Sequence, residues 1–132
     1  MSDRVEYTGH VQEGQGLGVE RMANSVVLRR IQEQAGFSIV PGTLNVNMAQ
    51  PFIRPSSTIY IPSRELSAEW EEQTGQAGYF LVPVTVGGQY RGIAMQADEP
   101  DYPPGLVELM SEVHLRSALD LVDDSLIRFT TP

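Results

Sequence analysis

The sequence predicts a small, mainly β protein: a β-barrel with one moderate helix and short helical turns. Three observations carry this prediction. Short stretches alternate apolar with polar residues, glycine and proline punctuate them closely, and one segment alone keeps helical spacing over several turns. With 132 residues, 41% of them hydrophobic, the chain suits a single domain, 1–132, that can bury a continuous core. It has no cysteine, which excludes disulfides, a thiolate metal site and a Cys nucleophile.

Taken in order, residues 4–12 (RVEYTGHVQ) read as a first strand, followed by the glycine cluster EGQGLG at 13–18. Residues 21–35 form the helix candidate. Ala23, Val27 and Ile31 recur at helical spacing, and Gly36 stands where a helix-ending glycine belongs. Pro41-Gly42 is turn chemistry, and Thr43 to Met48 then alternate polar with apolar as a half-buried strand does. STIYIP (57–62) reads as a strand, and RELSAEWEEQTG (64–75) as a short acidic helix or a long excursion. Residues 79–95 read as a hairpin turning at Gly87-Gly88, with Pro83 marking an edge or a bulge. A proline-rich loop at 97–105 precedes the strand LVELM (106–110). A helical turn (EVHLRSAL, 112–119) and a closing strand (SLIRF, 125–129) complete the chain.

The formal net charge is −8, and all nine basic residues are Arg. Such a balance argues against nucleic acid or an anionic membrane as partner, since both need a basic patch. The absence of Lys rules out a GxxxxGK[ST] phosphate loop and a kinase site built on a strand lysine. A nucleotide would have to be held by backbone N–H groups, Arg and a metal ion. No apolar run approaches membrane-spanning length, and the first residues do not read as a signal peptide, so a soluble, cytoplasmic protein is expected.

Few residues stand out as candidates for chemistry. Gly14, Gly16 and Gly18 would let phosphate oxygens approach backbone N–H groups, or would simply form a flexible connection. Val19 stands where a GxGxxG motif needs its third glycine. Thr43 and Asn45 offer two neutral oxygens on one side of a strand, which suits Mg²⁺ when phosphates and water complete its shell. They read equally as a hydrogen-bonded polar pair. Glu108 interrupts an apolar strand and points away from the core, towards solvent or a cleft. Glu69, Glu71 and Glu72 read as a solvated face, Asp98, Glu99 and Asp101 as exposed loop residues, and Trp70 as a packing residue. Arg116 has either Asp120 at i,i+4 or a phosphate as partner. His10 and His114 show no metal-ligand spacing.

Three stretches in order, GHVQEGQGLG (9–18), GFSIVPGTLNV (36–46) and LVELMSEVHLRSALDL (106–121), resemble the archaeal-type CTP-dependent riboflavin kinases over about Val5 to Phe129. The resemblance implies a six-stranded cradle-loop (RIFT-type) barrel that transfers the γ-phosphoryl of CTP to the ribityl hydroxyl of riboflavin. It implies Mg²⁺ on Thr43 and Asn45. The nucleotide would lie against Gly14, Gln15, Gly16, Leu17, Gly18 and Val19 and against Val113, His114, Leu115 and Arg116. Glu108 would contact the flavin and help deprotonate its hydroxyl, with Tyr102 beside it on the substrate side.

The chain departs from the family pattern on that same side. Pro100-Asp101-Tyr102 stands where Thr-His-Tyr is usual, Met95-Gln96-Ala97 replaces an apolar run with Pro, and Asp123-Asp124-Ser125 replaces Asp-Gly-Asp. These departures motivate a rival of another class, a regulatory module that binds nucleotide or flavin without catalysis.

Overall fold

The computed structural model describes residues 4–12 and 25–131, with side chains from Leu28 onward in the second stretch. Seven strands follow one another: β1 (Glu6–Val11), β2 (Leu44–Asn47), β3 (Ile59–Pro62), β4 (Gly78–Val86), β5 (Tyr90–Asp98), β6 (Leu106–Ser111) and β7 (Leu126–Thr130). Helix α1 (Ser25–Ala35) lies between β1 and β2, α2 (Trp70–Thr74) precedes β4, and the four-residue α3 (Leu115–Ala118) precedes β7. The sheet order is β3-β4-β5-β6-β2-β1-β7, all neighbours antiparallel. A further pairing, Thr85 with Thr130 and Val86 with Phe129, joins β4 to β7. Six strands therefore close on themselves, and β3 is an extra strand laid along the first half of β4.

Closure sorts every strand residue into one of two environments, because successive side chains point to opposite faces. The inward set includes Tyr7, Val46, Val84, Val107 and Ile127, around Phe129, which is fully buried. Tyr7 stacks on Phe129 at 5.2 Å between centroids and tilts against Phe52 at 4.8 Å, so aromatic rings fill one region of the lumen. The outward set forms a second core over β3 to β6. There Leu81, Ile93 and Met110 meet Ile31 of α1, Ile39 and Trp70. The Trp70 indole N–H donates to the Tyr79 hydroxyl at 2.9 Å, which in turn donates to the Gln76 side chain. Trp70 is thus a packing residue, as the sequence implied.

Local chemistry explains several details. Pro83 pairs with Ile93 on one side. On its other side it falls between the stretch of β4 held by β3, ending at Leu81, and that held by β7, beginning at Thr85. A residue without an N–H is tolerated in that interval. The hairpin connection uses Gly87 and Gly88 at φ of 61° and 71°, where a side chain would be strained.

One expectation is corrected. Strand β5 runs on to Asp98, where the sequence suggested a loop, and this carboxylate is half-buried, accepting a hydrogen bond from the Tyr60 hydroxyl at 2.7 Å. That bond, then burial, raises the Tyr60 pKa to about 12. The 64–75 stretch divides into a 3₁₀ turn (Ser63–Glu65) and α2, with Glu69, Glu71 and Glu72 exposed as expected.

Because Phe129 sits on the seam where β7 meets both β1 and β4, Phe129→Ala should lower the unfolding free energy by about 3–5 kcal/mol. Leu126→Ala, on the exposed face of the same strand, should change it by no more than about 0.5 kcal/mol. Urea unfolding of the two variants reads the difference as a shift in midpoint.

Candidate functional site

The site is built where α1 hands over to β2. Gly36, at φ of 81°, ends α1 with its N–H on the Gln32 carbonyl at 2.9 Å. The Gln32 side chain then accepts from the Ile39 N–H at 2.7 Å, and Val40 donates its N–H to the Ser111 carbonyl at 2.9 Å. The chain next turns through Pro41 and Gly42 (φ 118°) into Thr43. Thr43 thereby lines a cleft of about 220 Å³, whose facing wall is Val113, His114, Leu115 and Arg116. Two sequence segments seventy residues apart meet there because β2 and β6 are neighbours, with Leu44 opposite Leu109.

Two residues further on, Asn45 is directly opposite Glu108 across β2 and β6. Leu44, Val46, Val107 and Leu109 are buried in the lumen, so Asn45 and Glu108 both face outward, side by side and half-buried. The Tyr102 hydroxyl donates to Glu108 Oε2 at 2.7 Å. Burial first, and then the negative charge of Glu108 and the hydrogen bond to it, push the Tyr102 pKa far above its ordinary value. Tyr102 is therefore a fixed donor that orients the carboxylate.

His114 caps α3, its Nδ1 accepting from the Ser117 N–H at 3.4 Å and lying 2.9 Å from the Ser117 hydroxyl. Arg116 pairs with Asp123 at 2.9 Å rather than with Asp120. The helical i,i+4 relation fails because α3 ends at Ala118 and Asp120 sits outside it at φ of 53°. A single N–H of the Arg116 guanidinium is engaged in that bond, and a fork of this kind carries further donors.

Thr43 and the Val113–Arg116 segment thus share one cleft, and Asn45, Glu108 and Tyr102 form a chain beside β2 and β6. Gly14, Gln15, Gly16, Leu17, Gly18 and Val19 lie outside the described residues. The chain enters that stretch next to the site, since Gln12 donates its N–H to the Asn45 carbonyl at 3.0 Å. Sequence reasoning missed Val40, Pro41, Gly42 and Ser111 as lining residues of the cleft. The Pro-Gly pair signalled a turn, but nothing in the sequence told which surface that turn would wall. A larger groove of about 550 Å³, between Val5–Thr8 and the 48–55 segment, contains none of the expected site residues.

The donor set can be tested against a metal ion. Among the described residues no cluster of three or more His, Asp or Glu could cage a cation. Thr43, Asn45 and the adjacent Glu108 supply hard oxygens only, and few of them. That fits Mg²⁺, which keeps several waters and takes phosphate oxygens from its substrate. Among the described residues, no helix is long and apolar enough to cross a membrane.

Fold and site together define a small antiparallel barrel with an outward cleft where a turn and an Arg-bearing segment converge, and a carboxylate stands beside it. The chain belongs to the family whose model is named CTP-dep_RFKase and described as "Domain of unknown function DUF120", which it matches over residues 11–130. It is 34% identical over 125 residues to a protein of Methanococcoides burtonii named riboflavin kinase, covering 92% of this chain and 54% of that one. A riboflavin kinase of Methanocella arvoryzae is 28% identical over 122 residues, covering 92% and 55%. For a riboflavin kinase of Aeropyrum pernix the identity is 28% over 116 residues, covering 86% and 87%. The chain therefore spans about half the length of the first two relatives and most of the third.

The tyrosine beside Glu108 can be tested directly. In a titration of folded protein followed by tyrosinate absorbance, Tyr102→Phe should leave the signal below pH 11 unchanged, because Tyr102 stays protonated there. A folded-state pKa above the unfolded one also means that stability falls as pH rises past about 10, where only the unfolded chain ionises. Tyr102→Phe should flatten that alkaline decline, which urea unfolding at pH 9 and pH 11 would read.

Proposed function

We propose that this chain is a kinase that transfers the γ-phosphoryl group of CTP to the ribityl hydroxyl of riboflavin, giving FMN and CDP. The observation that carries this is the convergence of Thr43 and the Val113–Arg116 segment on one cleft, with Asn45 and Glu108 paired immediately beside it. The names of the relatives support riboflavin as acceptor, and the family's name supports CTP as donor.

Phosphoryl transfer asks for alignment and charge neutralisation more than for covalent participation. Arg116 offers guanidinium donors to phosphate oxygens at one side of the cleft. Thr43 and Asn45 would hold Mg²⁺, which when bound neutralises phosphate charge. Glu108 accepts the proton of the acceptor hydroxyl, with its carboxylate oriented by Tyr102. That engagement fixes the direction of the carboxylate, which matters where alignment governs the rate. The glycine run at 14–19 would supply backbone N–H groups to the phosphates. A net charge of −8 gives no long-range attraction to a nucleotide, so recognition is local to these groups.

The rival, a barrel that binds without turnover, rests on Pro100-Asp101 replacing the usual pair on the flavin side. Tyr102, the third residue of that motif, is present and engaged with Glu108. The kinase reading is therefore favoured.

Chromatographic detection of FMN, with riboflavin, Mg²⁺ and each of CTP, ATP, GTP and UTP in turn, tests the proposal. FMN should form with CTP. Asn45→Ala should reduce the rate by on the order of 10²-fold or more without loss of folded structure. Glu108→Gln, which keeps an acceptor for Tyr102 but cannot take the proton, should lower kcat by roughly 10²- to 10⁴-fold. No FMN from any donor, with CTP still raising the melting temperature, would support the rival instead.

A further inference from the structure

The segment between α1 and β2 belongs to no helix or strand from Phe37 to Gly42, yet it forms one wall of the cleft. Part of what keeps it in place lies outside the cleft. Arg91, the second residue of β5, lies with its guanidinium 4.8 Å from the centroid of the Phe37 ring. Glu112, just past β6, holds that Arg from several directions. Its Oε2 accepts the Arg91 backbone N–H at 2.7 Å, and its Oε1 accepts Nη2 at 2.9 Å and Nε at 3.2 Å. The Ser111 hydroxyl donates to the Arg91 carbonyl at 2.6 Å, while the Ser111 carbonyl receives the Val40 N–H. Gly92 permits this crowding, because a Cβ there would lie 2.7 Å from the Met110 carbonyl oxygen.

As a surface ion pair, Arg91 with Glu112 stabilises the fold little, since the Arg side chain is 63% exposed. Its geometry is another matter. A guanidinium fixed by backbone and fork together presents a planar cation to the Phe37 ring, which stands six residues before Thr43. We propose that Arg91 is a positioning residue that, held by Glu112, pins Phe37 and so sets the Val40–Thr43 wall of the cleft. The inference rests on the reading of that cleft as the nucleotide and metal site, and it assigns the site a support that touches neither ligand.

Calorimetric titration of Mg·CTP, together with amide exchange at Val40 and Thr43, tests this. Arg91→Ala and Phe37→Ala should each weaken Mg·CTP binding by roughly three- to tenfold. The double variant should be no weaker than either single one, because both remove the same contact. Phe37→Tyr, which keeps the ring, should restore wild-type binding. Arg128→Ala removes another exposed ion pair, with Glu6, and should change nothing. Amide exchange at Val40 should quicken in Arg91→Ala. Additive losses, or exchange and binding both unchanged in Arg91→Ala, would overturn the clamp. Should the wild-type protein bind no nucleotide, the proposed function fails, while faster exchange in Arg91→Ala would still uphold the clamp as the support of this wall.

Discussion

The pairing of β4 with β7 is the constraint on which the rest of the molecule depends. Thr85 and Val86 on one strand and Thr130 and Phe129 on the other turn an open sheet into a closed barrel. Once closed, a six-stranded barrel of this size has its interior filled by its own side chains. Tyr7, Phe52 and Phe129 occupy it together with a set of valines. No ligand can be housed there, so polar chemistry is confined to outward positions and to the connections between strands. Asn45 and Glu108 are outward for the same reason that Leu44 and Val107 are inward.

Electrostatics follows from that placement. The half-buried Asn45–Glu108 pair sits between an apolar lumen and solvent, where polar interactions are stronger than in bulk water. Tyr102 donates a hydrogen bond to that carboxylate. Arg116 and Asp123, more exposed, form a screened pair that a phosphate can compete for with little penalty. The acidic surface elsewhere, including Glu69, Glu71 and Glu72 around α2, takes no part in the site.

Much of this was legible in the residues. Period-two alternation marked β1, β2 and β6, the Gly87-Gly88 pair marked the hairpin, and the distinctive PGTLN stretch led to the family. The outward direction of Glu108 followed from its apolar neighbours. Closure between β4 and β7 was not legible from periodicity, because alternation tells which face a residue takes and not which strand stands beside it. Of the two partners open to Arg116, the Asp120 pairing fails for a similar reason: helical spacing has meaning only while the helix lasts, and α3 lasts four residues. Asp98 was assigned to a loop because Asp and Pro cluster there. Pairing with Gly78 overrode that composition and carried the strand one turn of the pattern further.

The order in which the strands occur along the chain has a consequence for how the protein comes into being. Strand β1 takes its longest pairing from β7, with Glu6 opposite Thr130, so the earliest of the described strands is completed by the latest of them. During synthesis β1 must wait, one edge unpartnered, while the β4–β5 hairpin and β6 assemble ahead of it. The free edge of β4 beyond Pro83 waits for the same strand. Folding on the ribosome is thus held at an open sheet with two bare edges, and a single late event removes both. A chain halted a few residues short of Thr130 would keep both edges exposed, ready to pair with any other nascent sheet.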